Sequence, residues 1–292
     1  MKETRFNPEE SKPAGSGGAN VSAAIKGIVK DLMDRVMDRV LRQDPFIPEQ
    51  HRASKPLYAA LVPDEIFKGA HFERRFVTPF GNVWEKLATV VAQERHGHCS
   101  QGELVSGLVG TERLRRIQEV LSWLEHPSSK AQRSAPSWTE EIRYILAGGG
   151  PPVPTTVTCD LYVHSRVDRK RYAFELKGPL PNSDQTKVSK EKMFKLLAMD
   201  SHPVDGAYYA LPYNPYGAKE DYAWSFPLRW FDMKHDPSVL IGDEFWDFIG
   251  GDGTYRVFIS EINALGNEYR ERIYREFLGM EPPGDDSAPR LK

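Results

Sequence analysis

The sequence is poor in cysteine, and Cys99 and Cys159 are the two thiols in 292 residues. So few cysteines cannot form the disulfide framework of a small secreted domain, and their scarcity suits a reducing compartment. The chain also lacks a run of eighteen apolar residues, which a membrane-spanning helix would require. Its first ten residues, MKETRFNPEE, contain no apolar signal core. We therefore expect a soluble, cytoplasmic protein with no membrane partner.

A large excess of charge of either sign is absent too, because 39 Lys and Arg residues nearly balance 41 Asp and Glu residues. The distribution of charge is more informative: residues 165–200 carry nine basic against five acidic residues, whereas 242–292 carry six against eleven. A local basic surface can attract a nucleic acid even when the net charge is close to zero. Hydrophobic residues make up 40% of the chain, which is enough for a globular protein with a sizeable core.

Two short segments, 156–165 and 171–177, are rich in Val, Thr, Tyr, Phe and Leu and flank a charged break. This pattern predicts two antiparallel strands joined by a short turn. The alternation of side chains along a strand puts Asp160, Glu175 and Lys177 on one face, with Asp160 opposite either Glu175 or Lys177. The other face is then apolar and consists of Leu161, Val163, Phe174 and Leu176.

Two carboxylates beside an ammonium form an oxygen-rich site that suits a hard divalent cation, and the lysine can orient or deprotonate a water molecule. Such a site can hydrolyse a phosphodiester. The pattern is short, however, and it also occurs on half-exposed strands whose charged side chains are only solvated. Gly178 and Pro179 end the second strand and leave Lys177 at its rim, which favours the catalytic interpretation.

The order of these residues resembles the core of the PD-(D/E)xK nucleases. Asp160 is followed on the next strand by Glu175-Leu176-Lys177, and Cys159 stands where that pattern usually has proline. The resemblance implies an α/β fold with a PD-(D/E)xK restriction-endonuclease-like core, in which a mixed β-sheet is flanked by helices and carries helical additions.

Longer segments are similar to one group of type II restriction endonucleases, the TdeIII-like family. The similar segments are GNVWEKLA at 81–88, FELKGPLPNSDQTKVSKEKMFKLLAM at 174–199 and GDEFWDFIGG at 242–251. The resemblance extends over about residues 70–280. It implies an enzyme that cuts double-stranded DNA at a short specific site with Mg²⁺ and leaves 5′-phosphate and 3′-hydroxyl ends.

The resemblance also implies roles for individual residues. Asp160, Glu175 and the carbonyl of Leu176 would hold the metal, and Lys177 would help to position the attacking hydroxide. Glu85 stands where the first core helix often offers another acidic group, and an ordinary surface glutamate is the alternative. Such enzymes commonly act as two-fold dimers on palindromic sites, so we expect a homodimer.

Two other functions remain open on the residues alone. One is a non-specific or structure-specific DNA repair nuclease of the same superfamily, which would share the metal site without the base-reading surface. The other is a catalytically silent DNA-binding protein whose hairpin carboxylates are only solvated. Discrete DNA fragments would reject the first alternative, and cleavage with Mg²⁺ or Mn²⁺ would reject the second.

Helical spacing of apolar residues predicts a helix over 20–41, after a flexible tail over 1–19. The prolines between residues 45 and 63 predict loops, and a second helix is expected over 79–95 with Pro79 near its first turn. The expected domain is a single α/β unit over 20–280, followed by a second tail over 281–292.

A helical insertion is expected over 100–147. Ser100 and Glu103 form a capping-box pattern that predicts a short helix, Gly110 leads into a second helix, and a third runs from Ser137 to the glycines at 148–150. Two helices joined through a glycine allow a helix-turn-helix, with ordinary paired core helices as the alternative. The helix-turn-helix would direct three basic residues towards DNA: Arg113, Arg115 and Arg116.

The segment after the hairpin predicts a basic helix over 186–200 and then a strand over 204–211. We expect Lys187, Lys190 and Lys192 to point outward and contact the DNA backbone, and solvated lysines are the alternative. Further helices are predicted near 243–249 and 255–278.

Overall fold

The computed structural model describes residues 16–126 and 135–284. The strands in these residues are β1 (His98–Gly110), β2 (Pro152–His164), β3 (Arg171–Leu176), β4 (Gly206–Leu211) and β5 (Val239–Ile241). The α-helices are α1 (Ser16–Asp38), α2 (Pro48–Ser54), α3 (Pro56–Leu61), α4 (Asp64–His96), α5 (Thr111–Glu125), α6 (Trp138–Leu146), α7 (Ser183–Ala198), α8 (Asp243–Gly250) and α9 (Thr254–Arg272). Short π-helical segments, Arg39–Gln43 and Ile273–Leu278, extend α1 and α9.

The strands form one mixed sheet in the order β1-β2-β3-β4-β5. β1, β2 and β3 are antiparallel neighbours, whereas β3, β4 and β5 run parallel. Helix α7 provides the crossover that a parallel connection between β3 and β4 requires. The predicted mixed sheet flanked by helices is thus confirmed, as are the helices expected at α1, α6, α7, α8 and α9 and the strand expected at β4.

The sheet lies between two helical layers, each with its own core. Helices α1, α4, α8 and α9 cover one face, and α5, α6 and α7 cover the other. Alternate residues of β3 divide between them: Phe174 and Leu176 enter the first core, and Ala173 enters the second. A sheet covered on both faces is the usual arrangement of an α/β fold, and it leaves the strand ends as the accessible part of the sheet.

Strand β2 changes face at Asp160. Cys159 belongs to the second core, yet Leu161, two residues later, belongs to the first, although both would share one face of an uninterrupted strand. The register of β1 against β2 puts Gly102 opposite Asp160. Gly102 has a φ of 65°, a left-handed conformation that residues with a Cβ rarely adopt. This local distortion takes Asp160 out of the simple alternation of the strand.

The helix predicted from Ser100 is wrong, because this segment belongs to β1. The two residues do contact each other, but through their side chains: the Ser100 hydroxyl donates to a Glu103 carboxylate oxygen at 2.8 Å, whereas a capping box would bind backbone N–H groups. The segment nevertheless pairs with β2 along its whole length, from His98 to Gly110, and this long ladder overrides the local helical pattern. The helical insertion is therefore reduced to α5 and α6, and residues 127–134 lie outside the described residues.

Helix α4 begins fifteen residues before the predicted start at Pro79, which lies inside the helix. Proline removes a helical hydrogen bond and normally kinks or ends a helix. Here a stripe of aromatic side chains spaced by four residues runs across the proline and packs both halves of the helix together. Its ring-centroid distances are 6.3 Å for Phe72–Phe76, 5.1 Å for Phe76–Phe80 and 4.9 Å for Phe80–Trp84.

Two further expectations need correction in the N-terminal part of the chain. The proline-rich region contains α2 and α3, because Pro48 and Pro56 occupy first helical positions, where the missing N–H costs nothing. The tail expected over 1–19 falls mostly outside the described residues, but α1 already begins at Ser16. Residues 285–292 of the second tail also lie outside them.

Within 16–126 and 135–284, no helix has both the length and the apolar character needed to cross a bilayer.

Candidate active site

The candidate site is built where the ladder between β2 and β3 ends. The last pair of this ladder joins Leu161 to Phe174, and its register puts Asp160 opposite Glu175, one of the two predicted alternatives. The Asp160 carboxylate accepts the backbone N–H of Leu176, with 2.8 Å between N and Oδ2. A side-chain carboxylate thus takes a position that a strand carbonyl would otherwise fill, and it satisfies a backbone donor there.

Lys177 lies directly beyond β3 and turns its ammonium back over the strand end. Its Nζ is 2.7 Å from Oδ2 of Asp160, 2.8 Å from the carbonyl oxygen of Leu176 and 3.6 Å from Oε2 of Glu175. Its backbone N–H donates to the carbonyl of Ala210 at 3.0 Å, so the parallel strand β4 fixes the main chain here. About a fifth of the side chain is exposed (20%), which leaves the ammonium at an accessible rim.

Glu175 is buried, and only 2% of it is exposed. Helix α7 supplies its partners: Nζ of Lys192 lies 2.8 and 3.0 Å from the two carboxylate oxygens, and the Ser189 hydroxyl donates at 3.2 Å. Burial and the neighbouring Asp160 raise the pKa of Glu175 to about 7, against the opposing effect of Lys177 and Lys192. The ionised pair of carboxylates is therefore costly, and positive charge beside it is stabilising.

A cavity of about 430 Å³ opens beside the strand end and is lined by both Lys177 and Glu85. Glu85 accepts a hydrogen bond from the side-chain amide of Gln101 at 2.8 Å. In the part of the chain that the structure describes, no three His, Cys, Asp or Glu side chains form a group that could hold a metal ion. Glu85 thus borders the same cavity without joining Asp160 and Glu175, and its catalytic role stays a prediction.

Comparison with known proteins identifies the family. Residues 21–266, which are most of the chain, match the family described as type II restriction endonuclease, HinfI. The chain belongs to this family. Its activity class follows: the protein is a site-specific deoxyribonuclease that acts on double-stranded DNA, as the sequence predicted.

Individual relatives agree with this assignment. The type II restriction enzyme HgiCII of Herpetosiphon aurantiacus is 28% identical over 229 residues, which are 77% of this chain and 82% of that enzyme. The type II restriction enzyme HgiEI of the same organism is 26% identical over 228 residues, which are 77% of this chain and 81% of that enzyme. The predicted membership among type II restriction endonucleases is confirmed, and the narrower TdeIII-like likeness stays a resemblance.

Enzymes of this class generally use divalent metal ions, and the residues at the strand end fit such an ion. The available donors are oxygens: the carboxylates of Asp160 and Glu175 and the carbonyl of Leu176. A hard cation such as Mg²⁺ is commonly bound by one or two carboxylates and keeps several waters, so two carboxylates are sufficient. The raised pKa of Glu175 fits as well, because a cation would offset the repulsion between the buried carboxylates.

The lysines of α7 that were predicted to contact DNA have three different environments. The expectation that Lys192 points outward is wrong, because its ammonium points into the active site and contacts Glu175. Burial disfavours its charge there, but the Glu175 carboxylate outweighs this effect and raises the pKa of Lys192. The ammonium of Lys187 pairs with Glu125 and lies 5.7 Å from the ring centroid of Trp230. Contact of Lys187 with DNA stays a prediction. It would require the ammonium either to leave Glu125 or to contact a DNA phosphate and Glu125 at the same time.

The expectation that Lys190 points outward is wrong. Its side chain is fully buried in the second core, with Nζ 2.6 Å from a carboxylate oxygen of Glu141 and hydrogen-bonded to the carbonyl of Trp230. Burial lowers the pKa of Lys190 and raises the pKa of Glu141. Helix α7 is enclosed on several sides by the sheet, α5, α6 and the segment around Trp230, so its spacing of lysines could not identify a single exposed face.

We expect Lys190→Met to destabilise the protein by about 3 kcal/mol, because it leaves Glu141 as an uncompensated buried acid. The free energy of unfolding in urea measures this effect. Lys195→Met is the matched control: its partner Glu191 is one turn away on the same helix and partly exposed, so the cost should stay below about 0.5 kcal/mol. A Lys190→Met variant as stable as the parent protein would contradict the structural role.

The predicted helix-turn-helix is wrong, because β1 precedes α5 where its first helix should be. The three arginines of α5 bind groups within the protein. Arg113 binds Asp200 and the carbonyls of Gly148 and Ala198. Arg115 pairs with Glu112 and Glu119. Arg116 pairs with Glu112, donates to the carbonyl of Tyr144 and lies over the Tyr144 ring. Contact of these arginines with DNA stays a prediction, but the helix-turn-helix motif that suggested it is absent from this part of the described structure.

Both residues of α7 that contact Glu175 differ from the prediction: Ser189 was not among the predicted site residues, and Lys192 was predicted to point outward to DNA. Ser189 and Lys192 are three positions apart, which places them on one face of the helix. This spacing was a usable signal, because the crossover helix after β3 must pack on the sheet beside the strand that carries Glu175.

Proposed function

We propose that this chain hydrolyses double-stranded DNA with Mg²⁺ bound by Asp160, Glu175 and the carbonyl of Leu176. The observation that carries the proposal is the convergence of these oxygens with the Lys177 ammonium at one accessible end of β3. A buried carboxylate pair of this kind is costly for the fold, and a bound cation would offset that cost.

Each protein group has a defined task in this proposal. When bound, the ion would polarise the scissile phosphate and lower the pKa of a water molecule. Lys177 would hold that water in line with the phosphorus and balance part of the phosphate charge. The water oxygen would bond to phosphorus while the bond between phosphorus and the 3′ oxygen breaks. The 3′ oxygen then takes up a proton, so one fragment ends in a 3′-hydroxyl and the other in a 5′-phosphate. The hydrogen bonds of Asp160 to Lys177 and to the Leu176 N–H keep the carboxylate in place throughout.

We further propose that the enzyme is a homodimer that cuts a short palindromic site, because a two-fold symmetric protein matches a two-fold symmetric sequence. Residues 20–280 would act as one nuclease domain, which is supported by the single sheet that both cores share. The free thiols of Cys99 and Cys159 are consistent with a cytoplasmic location.

Digestion of a linear DNA of known sequence tests this function. The purified protein should produce discrete fragments with Mg²⁺ and none with EDTA, and sequencing of the fragment ends should give one short palindrome. Ligation of the fragments without kinase treatment should succeed, because both required end groups are present. A continuous smear would instead indicate a non-specific nuclease, and undiminished cleavage in EDTA would contradict the metal requirement.

A further inference from the structure

The carboxylate pair is held from two sides by two different lysines. Lys177 approaches from the end of β3, whereas Lys192 approaches from α7. The Lys192 ammonium donates to both oxygens of Glu175, at 2.8 and 3.0 Å, and lies 3.9 Å from Oδ1 of Asp160. An ammonium that contacts both oxygens of Glu175 and approaches Asp160 competes for carboxylate oxygens that the proposed divalent ion would use.

The position of Lys192 is fixed by its helix. Ser189, one turn earlier on the same face of α7, also donates to Glu175, at 3.2 Å. Only 27% of the Lys192 side chain is exposed, so its ammonium is directed inward to the carboxylates and not out to solvent. Lys195, the next lysine of the helix, differs in this respect, because its partner is Glu191 of the same helix at 2.7 Å.

We propose that Lys192 is a positioning residue that occupies the Glu175 side of the cation site before a metal ion binds. Its ammonium holds Asp160 and Glu175 close together, and it must leave the Glu175 oxygens when a divalent ion takes them. Lys192 therefore lowers the affinity of the site for metal ions while it keeps the site assembled without them. Lys177 covers the other side of the same site, because its Nζ contacts Asp160 and the Leu176 carbonyl and lies 3.6 Å from Glu175. This inference rests on the proposed metal site.

Removal of the ammonium should make metal binding tighter. At about pH 8.5, we expect Lys192→Met to bind Mn²⁺ about ten-fold more tightly than the parent protein, because a positive charge next to the ligands is gone. Lys192→Gln, which keeps a donor towards Glu175 but no charge, should behave in the same way and provides a second variant for the case of a folding defect. Free Mn²⁺ can be counted by its electron paramagnetic resonance signal, with the protein alone and no DNA.

Two further variants test whether the effect on Mn²⁺ affinity requires both the positive charge of Lys192 and its position beside the carboxylates. Lys192→Arg keeps the positive charge and should return the dissociation constant for Mn²⁺ to within about three-fold of the parent value. Lys195→Met removes a charge from the same helix without touching the carboxylates and should leave that constant unchanged. A purely structural role for Lys192 could weaken metal binding but could not strengthen it.

Different results reject different statements. Unchanged or weaker Mn²⁺ binding by Lys192→Met and Lys192→Gln would overturn the inference. Loss of DNA affinity with an unchanged Mn²⁺ affinity would also overturn it and would make Lys192 a phosphate contact. If the parent protein bound no Mn²⁺ at all, the proposed metal site itself would be wrong and the inference would fall with it.

Discussion

Asp160→Asn should lower the cleavage rate by at least about a thousand-fold, because it removes a metal ligand charge and leaves the shape of the side chain unchanged. The asparagine oxygen can still accept the Leu176 N–H, so the end of β3 should stay in place. Binding of the DNA site should be retained or improved, since a negative charge near the phosphates is lost. Single-turnover cleavage and filter binding with the same labelled duplex measure the two quantities.

Asp184→Asn is the control for this variant, because Asp184 is an exposed acid in the first turn of α7. Asp184→Asn removes one negative charge, as Asp160→Asn does, but at the protein surface, so this variant should cut DNA at the parental rate. Glu175→Gln should be as inactive as Asp160→Asn. Glutamine is preferable to alanine here, since alanine would leave Lys192 without a hydrogen-bond acceptor and open a cavity at a buried position. Parental cleavage by either active-site variant would contradict the site.

Lys177→Arg should bind its DNA site in Ca²⁺ within about three-fold of the parent protein and yet cut at least about a hundred-fold more slowly in Mg²⁺. Arginine keeps the charge that attracts phosphate, so binding should survive. Its planar and bulkier group does not fit the position where the lysine Nζ lies 2.7 Å from Asp160 and 2.8 Å from the Leu176 carbonyl. Arginine also stays protonated, so it cannot take a proton from the attacking water.

The same two assays, binding in Ca²⁺ and single-turnover cleavage in Mg²⁺, measure this separation. Lys187→Arg is the matched control, because Lys187 lies outside the carboxylate cluster and pairs with Glu125. It should leave both values near those of the parent. If Lys177→Arg cut at the parental rate, Lys177 would act only as a charge that anchors the phosphate.

The centre of the site could be predicted from sequence because its residues are close along the chain. Asp160 and Glu175 lie on adjacent strands of one hairpin, and a hairpin brings its residues together by local pairing alone. Alternation along the strands then placed Lys177 beside them. The switch of β2 from one core to the other at Asp160 was not predictable in this way, because it depends on β1 and the conformation of Gly102.

The errors have a common physical origin in contacts between distant parts of the chain. In β1, Leu104 and Val105 are followed four residues later by Leu108 and Val109, which fits a helix face as well as a strand. Pairing with β2, more than forty residues away in the sequence, makes this segment a strand. Lys190 was misplaced for the same reason, since its partner Glu141 comes from α6 and lies forty-nine positions earlier.

The most direct test of the central claim is the pH dependence of Mn²⁺ binding by the parent protein and by Asp160→Asn. Burial and Asp160 raise the pKa of Glu175 to about 7, and the protonated acid is a poor ligand. The dissociation constant should therefore be nearly constant above about pH 8 and should rise by about ten-fold for each pH unit below about pH 6, as a proton competes with the metal ion. Asp160→Asn should bind much more weakly above about pH 8, and its dissociation constant should begin to rise at a lower pH, because the charge of Asp160 no longer raises the pKa of Glu175. Equal binding by the two proteins would contradict the claim that Asp160 and Glu175 form the metal site.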